Sequence, residues 1–195
     1  MKNYKVKEIF KSIQGEGLHS GTQTVFVRFS GCNRSCNILS TGFDCDTDHL
    51  GGKDYTLDML IKEVLCEAGR CRRVTFTGGE PTLQLDGDII WALKEKGFFL
   101  AIETNGEIPC PQGLDWITVS PKGGQLLQNK ANELKVVIST QTEMPIDYDA
   151  EHFYLMPRDD GKGLDLHALK HCLEIIEKEP RWKLCLQIHK IINVR

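Results

Sequence analysis

Eight short apolar runs punctuate this chain from end to end: Lys5 to Phe10, Val25 to Phe29, Val74 to Phe76, Phe98 to Ile102, Trp116 to Val119, Leu134 to Ile138, Phe153 to Leu155 and Leu184 to Ile188. Between several of them lie segments of helix length, Thr56 to Leu65, Asp88 to Lys96 and Leu164 to Lys178, with apolar residues repeating at a helical period. Two antiparallel strands can be joined by a tight turn, whereas two parallel strands need a long crossover, usually a helix. The alternation therefore predicts an α/β fold with a parallel sheet. At 195 residues the chain is long enough for one core and too short for two ordinary domains. No repeat, linker or low-complexity tract divides it. Residues 1–195 read as a single domain, either an open sheet or a partial barrel.

The polar signatures gather where strands end. Thr77-Gly-Gly-Glu-Pro81, Glu103-Thr-Asn-Gly106 and Ser120-Pro-Lys-Gly123 each follow an apolar run. Gly and Pro commonly mark turns, but the carboxyl edge of a parallel sheet is also where sites are built. Three such ends beside a cysteine-bearing loop point at one mouth. In Gly78-Gly79-Glu80-Pro81, two residues without Cβ allow close backbone approach to a ligand, and the carboxylate suits an ammonium group.

The cysteine loop runs from Gly31 to Thr47, directly after the strand-like Thr24 to Phe29, and carries Cys32, Cys36 and Cys45. The N-terminal lysines have no apolar run behind them, so neither a signal peptide nor a membrane anchor is expected, and the chain reads as cytoplasmic. In that compartment eight cysteines argue for metal or catalytic use of some, not for a disulfide framework. Three thiolates can hold three irons of a four-iron cluster and leave the fourth open to a ligand. A closed zinc site would need a fourth ligand, for which His49 is the candidate. Cys66 and Cys172 in helical patterns and Cys185 in a strand-like run read as small packed hydrophobes, and Cys71 and Cys110 as loop residues. The net charge of −3 lacks the basic footprint of a nucleic-acid binder.

The cysteine loop together with Gly-Gly-Glu-Pro resembles the radical S-adenosylmethionine (SAM) enzymes. Ser12-Ile-Gln-Gly-Glu-Gly17, Arg28, Gly31-Cys-Asn33, Cys45-Asp-Thr47, Glu103-Thr-Asn105, Ser120-Pro-Lys122 and Leu186-Gln-Ile-His-Lys190 narrow the resemblance to the 7-carboxy-7-deazaguanine synthases. These matches run in order over nearly the whole chain. The resemblance implies a partial TIM-type barrel of mostly parallel strands, a radical SAM core with reduced helix content. It implies a lyase in queuosine and 7-deazapurine biosynthesis. A radical derived from SAM takes a hydrogen from 6-carboxy-5,6,7,8-tetrahydropterin, and the ring contracts with loss of ammonia. A [4Fe-4S] cluster, SAM and Mg²⁺ are the implied cofactors. A flavodoxin or ferredoxin is the implied electron donor, and a homodimer the implied assembly.

Carried over residue by residue, the resemblance makes Cys32, Cys36 and Cys45 the cluster ligands and Thr47 the Mg²⁺ ligand. The cofactor contacts fall on Asp44, Cys45, Asp46, Gly79, Glu80, Glu103, Asn105, Ser120, Pro121, Lys122, Met156, Pro157, Arg158 and Asp159. The substrate contacts fall on Ile13, Gln14, Gly15, Glu16, Arg28, Thr77, His189 and Arg195, and no side chain is expected as acid or base. Residue chemistry agrees. Arg28 shares a strand face with Phe26, opposite Val25, Val27 and Phe29, and a guanidinium suits a carboxylate. Gln14 and Glu16 suit the amino and amide edge of a pterin. Thr47 offers a hard oxygen beside Asp46. His189 lies in the last strand-like segment, and the tail that bears it folds over the substrate in the family, so a C-terminal tag should lower activity. The chain departs from the pattern in two places. Leu39 stands where C-x3-C-x2-C spacing would put the third cysteine, so residues 37–44 are expected to loop out beside the cluster. Met156 stands where the family tends to have Gln. A rival within radical chemistry is an enzyme that installs a glycyl radical on a partner protein.

Overall fold

The computed structural model describes residues 2–139 and 147–194. Its strands are β1 (Tyr4–Ile13), β2 (Gln23–Phe29), β3 (Lys53–Tyr55), β4 (Arg73–Gly78), β5 (Phe99–Thr104), β6 (Trp116–Val119), β7 (Lys130–Ile138), β8 (Asp149–Pro157) and β9 (Trp182–Leu184). The helices are α1 (Ile38–Thr41), α2 (Leu57–Ala68), α3 (Gly87–Lys94), α4 (Leu166–Lys178) and α5 (Ile188–Ile191). All nine strands form one sheet in the order β3-β1-β2-β4-β5-β6-β7-β8-β9. From β2 to β9 every neighbouring pair is parallel, as the alternation predicts. The sheet does not close, because β3 and β9 stand at opposite ends of that order. Only α2, α3 and α4 supply full crossover layers; the described connections from β5 to β6 and from β6 to β7 hold no helix. The result is a helix-poor, open partial barrel.

Local chemistry sets the helix starts. The Thr56 hydroxyl accepts from Met59 N–H ahead of α2, Asp86 accepts from Ile89 N–H ahead of α3, and Asp165 accepts from His167 and Ala168 N–H ahead of α4. Along the strands, period-2 alternation assigns one face to the helices and the other to a cavity. Val25, Val27 and Phe29 of β2, Val74 and Phe76 of β4, and Leu100 and Ile102 of β5 pack with Leu60, Val64, Ile89 and Leu93 in one core. Leu134, Val136 and Ile138 of β7 pack with Leu155, Cys172 and Trp182 in a second. The intervening residues Phe26, Arg28, Thr77, Glu103, Lys135 and Val137 line the cavity.

The edge of the sheet differs from the sequence reading. β1 pairs antiparallel with both β2 and β3, and β3 lies where no strand is predicted. A bulge between Val6 and Glu8 changes the parity of β1. Tyr4 and Val6 before it, and Ile9 after it, join the core, while Phe10 turns to the cavity. The predicted strand Leu184 to Ile188 is also corrected. Pairing with β8 covers only Trp182–Leu184, and Ile188 opens the short α5, so His189 sits on a helical turn. Residues 37–44 project outward, with 37–40 and 44 exposed, and are ordered locally by α1. Asn37 caps α1 through a reciprocal pair with Ser40. Cys66 projects from the outer side of α2 and is exposed, because only Leu60, Ile61, Val64 and Ala68 of that helix are buried.

Candidate active site

A cavity of about 280 Å³ opens at the carboxyl edge of the parallel strands, and it brings together most of the residues singled out by sequence. One wall belongs to the cysteine loop, with Cys32, Cys36, Asp44, Cys45, Asp46 and Thr47. A second is built by Gly79 and by Glu103, Asn105, Ser120 and Lys122 at strand ends. Met156, Arg158 and Asp159 contribute from the end of β8. Ile13, Gln14, Gly15, Glu16, Arg28, Thr77 and His189 line it as well. Glu80, Pro121 and Pro157 do not line it. Arg195 lies outside the described residues.

The cysteine loop and the Gly-Gly-Glu-Pro turn are stitched together by their backbones. Gly79 N–H donates to Phe29 C=O at 3.2 Å, and Glu80 N–H donates to Gly31 C=O at 2.9 Å. A Cβ at Gly78 would strike Phe29 C=O, and one at Gly79 would strike Gly31 C=O and Cys32 Cβ. The two glycines thus permit the approach of the cysteine loop itself. Glu80 is fully buried, and its carboxylate accepts from Thr82 N–H at 3.1 Å, Thr82 Oγ1 at 2.6 Å, Thr104 Oγ1 at 2.7 Å and Asn105 N–H at 2.8 Å. It ties the end of β4 to the end of β5. Glu80→Gln sets an amide against these donors and is expected to lower stability by about 3 kcal/mol, or the Tm by about 6 to 12 °C. A melting curve within about 2 °C of the parent would refute this role.

Asn105 extends the seam by donating from Nδ2 to Asn33 Oδ1 at 2.8 Å. Asn33 Nδ2 and Arg34 Nε in turn bind Glu107, at 3.1 and 2.6 Å. The residue after Cys32 is therefore anchored to β5. All three loop thiols are free; Cys32 also accepts from Arg34 N–H at 3.4 Å. Burial raises the pKa of the Cys32 and Cys36 thiols above the usual cysteine range. A metal centre reverses that preference, because coordination favours the thiolate. Among the described residues no three His, Cys, Asp or Glu side chains converge as a cage for one ion. Leu39 is 91% exposed on α1 and does not line the cavity.

At the far side of the cavity, Arg28 stands opposite Glu8 across the β1–β2 pair, and its Nε meets Glu8 Oε1 at 2.8 Å. Its guanidinium lies over the Phe10 ring, itself stacked on Phe26 at 5.2 Å between centroids. Gln14 is committed to the protein: Nε2 donates to Glu103 at 2.8 Å, and Oε1 accepts from Glu16 N–H at 3.2 Å. The segment after β9 crosses the rim. Ile188 N–H donates to Gly15 C=O at 3.0 Å, and a side chain at Gly15 would collide with the His189 ring. Gln187 reaches both Glu16 and Asp46, and Lys190 binds Asp46 and Asp159, each at 2.9 Å. Burial alone would raise the pKa of Asp46; Lys190 and Gln187 outweigh it and hold it below the usual carboxylate range.

Sequence reasoning gave no role to Lys135, Phe43, Gln187 or Lys190, all of which line the cavity. The signal for Lys135 was a lone cation within the apolar run Leu134-Lys-Val-Val-Ile138. Gln187 and Lys190 flank His189 in the motif already quoted, and Phe43 lies in the enlarged loop.

A helix-poor partial barrel with three cysteines on one loop beside a Gly-Gly-Glu-Pro turn defines a radical SAM protein. No protein-family model matches the chain. The 7-carboxy-7-deazaguanine synthase of Burkholderia multivorans is 41% identical over 98% of this chain and 99% of the relative. That of Bacteroides thetaiotaomicron is 40% identical over 98% of each. The crystal structure of QueE from Escherichia coli superposes with a TM-score of 0.72 at 25% identity, covering 96% of this chain and 95% of QueE. The chain belongs to the 7-carboxy-7-deazaguanine synthase family.

Proposed function

We propose that this chain converts 6-carboxy-5,6,7,8-tetrahydropterin into 7-carboxy-7-deazaguanine with loss of ammonia, and that the 280 Å³ cavity is where it does so. The observation that carries this reading is the meeting, in one cavity, of the three loop thiols with Arg28, Glu16 and His189. Family membership sets aside both the zinc module and the glycyl-radical activating enzyme.

The donor set fits a [4Fe-4S] cluster: three free thiols on one wall, held by a loop anchored through Gly31 and Asn33. Cys32, Cys36 and Cys45 would hold it. Thr47, whose hydroxyl reaches Asp46 at 3.4 Å, would supply a hard oxygen to Mg²⁺. When bound, the cluster and SAM supply the radical chemistry that removes a substrate hydrogen. The chain's own side chains bind and orient. Glu103, Asn105, Ser120 and Lys122 at the strand ends, with Met156, Arg158 and Asp159 opposite, form the cofactor side, joined by Asp44, Asp46 and the Gly79 backbone. Ile13, Gly15, Glu16, Arg28, Thr77 and His189 form the substrate side, where Arg28 takes the pterin carboxylate and Glu16 accepts from the amino-pyrimidinone edge. Gln14 acts through Glu103 and the Glu16 backbone. Glu80, Pro121 and Pro157 support this arrangement from outside the cavity.

The working assembly on this reading is a cytoplasmic, single-domain homodimer that receives electrons from a flavodoxin or ferredoxin. No helix among the described residues is long and apolar enough to cross a membrane. The test is anaerobic reconstitution with iron and sulfide, followed by incubation with SAM, a strong reductant and 6-carboxytetrahydropterin. A 7-deazapurine product of the right mass is expected. Cofactor cleavage with no deazapurine would leave the radical class standing and overturn the substrate.

A further inference from the structure

Lys135 is 2% exposed, yet its ammonium reaches the cavity between two carboxylates that arrive from different parts of the chain. One is Glu16, in the connection after β1, with which Lys135 Nζ forms an ion pair; the other is Glu103 of β5, whose Oε2 lies 3.0 Å away. Each carboxylate has a second tether. Gln187 Nε2 donates to Glu16 Oε1 at 3.0 Å, and Gln14 Nε2 donates to Glu103 Oε1 at 2.8 Å. With one hydrogen bond on each oxygen, both carboxylates keep lone pairs for a ligand.

The charge balance is decided by Lys135. Burial alone would lower the pKa of its amine, but Glu103 and Glu16 outweigh burial and hold it well above the ordinary lysine range. Burial would likewise raise that of Glu16, and the charge and hydrogen bond of Lys135 turn it to the low side. A charge buried this deeply is tolerated only when it is paired, and removal of one partner is far costlier than the pair is worth. Without Lys135, two carboxylates would face one another across the floor of the cavity as like charges.

We propose that Lys135 is a positioning residue that fastens the substrate-side carboxylate Glu16 to the cofactor-side carboxylate Glu103, so that the two ligands are held in one register. The inference rests on the functional reading above, which places Glu16 and Glu103 on opposite sides of the reacting pair. Hydrogen abstraction needs close, aligned partners, and a small misplacement wastes the radical. Lys135 bears on how often cofactor cleavage ends in product, as well as on ligand affinity.

The test uses the full chain, reconstituted, with Lys135→Met, which matches the lysine stem as far as Cε and removes the ammonium and its charge. Iron content and visible absorbance report whether the variant carries its cluster. Two quantities are then read: the ratio of 5′-deoxyadenosine to 7-deazapurine, and the Kd for 6-carboxypterin from quenching of its fluorescence. The expected result is a rise of at least about tenfold in each, the low end for losing a hydrogen bond between charged groups. A merely structural residue would lower cofactor cleavage and product formation together and leave their ratio alone. A cluster-bearing variant with the parent's ratio and the parent's Kd overturns the proposal, as does a parallel fall of both activities at unchanged Kd. Should Lys135→Met fail to take up iron, Lys135→Gln, which keeps a donor, is measured against the same outcomes. A parent chain that neither binds the pterin nor makes a deazapurine overturns the functional reading itself, a result distinct from one in which only the variant matches its parent.

Discussion

A Cys45→Ala variant is expected to lose product formation by at least about a thousandfold, because removing one of three thiolates leaves an iron of the cluster without its protein ligand. The structure sharpens this expectation beyond the spacing argument. Cys45 lines the same cavity as Cys32 and Cys36, while Leu39, at the position where the usual spacing would place a third ligand, is almost wholly exposed. Iron per chain and the absorbance near 400 nm should fall with activity. Cys66→Ala is the control, since Cys66 lies exposed on α2 and lines no part of the cavity. If Cys45→Ala kept its cluster and its turnover, the loop geometry would not be the metal site.

Arg28→Met is expected to lower kcat/KM for the carboxylated pterin by about 100- to 1000-fold, equivalent to about 3 to 4 kcal/mol, through loss of a charge-assisted contact inside a sheltered cavity. Glu8 pairs with the guanidinium charge, and the guanidinium lies over the Phe10 ring, so the group is restrained before a ligand arrives. Pre-orientation reduces the entropy cost of binding, and its benefit disappears with the side chain. Iron content should not change, because Arg28 is not among the proposed cluster ligands. Steady-state kinetics on the reconstituted variant decide the matter: kcat/KM within a factor of about two of the parent would place the substrate carboxylate elsewhere.

Much of the fold was legible because the parallel strands are short and apolar, and three of the connections carry capped helices. Leu134, Val136 and Ile138 announce one buried face of β7 by simple alternation, and Val25, Val27 and Phe29 do the same for β2. The antiparallel edge was not legible for a physical reason. A bulge at Val6/Glu8 breaks the alternation of β1, and β3 is only three residues long, of which Lys53 and Asp54 are exposed. The C-terminal helix escaped notice because Leu184-Cys-Leu-Gln-Ile188 is apolar enough to read as strand, while its hydrogen bonds go to Gly15 and into a helical turn. At the site, motif residues found the cavity, but the hydrogen bonds they make within the protein are not written in the motif. Glu80 bonds Thr104 and the Asn105 backbone across two strand ends, and Gln14 bonds Glu103 and the Glu16 backbone. Lys135 was hidden because long-range pairing, and not local spacing, gives a buried lysine its partners.

The rim segment carrying Gln187 and Lys190 has a softness that the floor of the cavity lacks. Its ion pairs to Asp46 and Asp159 join residues as far as 144 apart in sequence, and Lys190 and Asp46 keep 36% and 48% of their side-chain surface in water. Exposed pairs of this kind contribute about 0 to 1 kcal/mol and weaken as counterions gather within the Debye length, about 8 Å at physiological ionic strength. These pairs are the screened part of a seam that the Ile188–Gly15 backbone bond and the Gln187–Glu16 bond also hold. Glu16, Lys135 and Glu103 lie deeper and are screened far less. Ionic strength therefore weakens the rim pairs and leaves the charges of the floor nearly untouched.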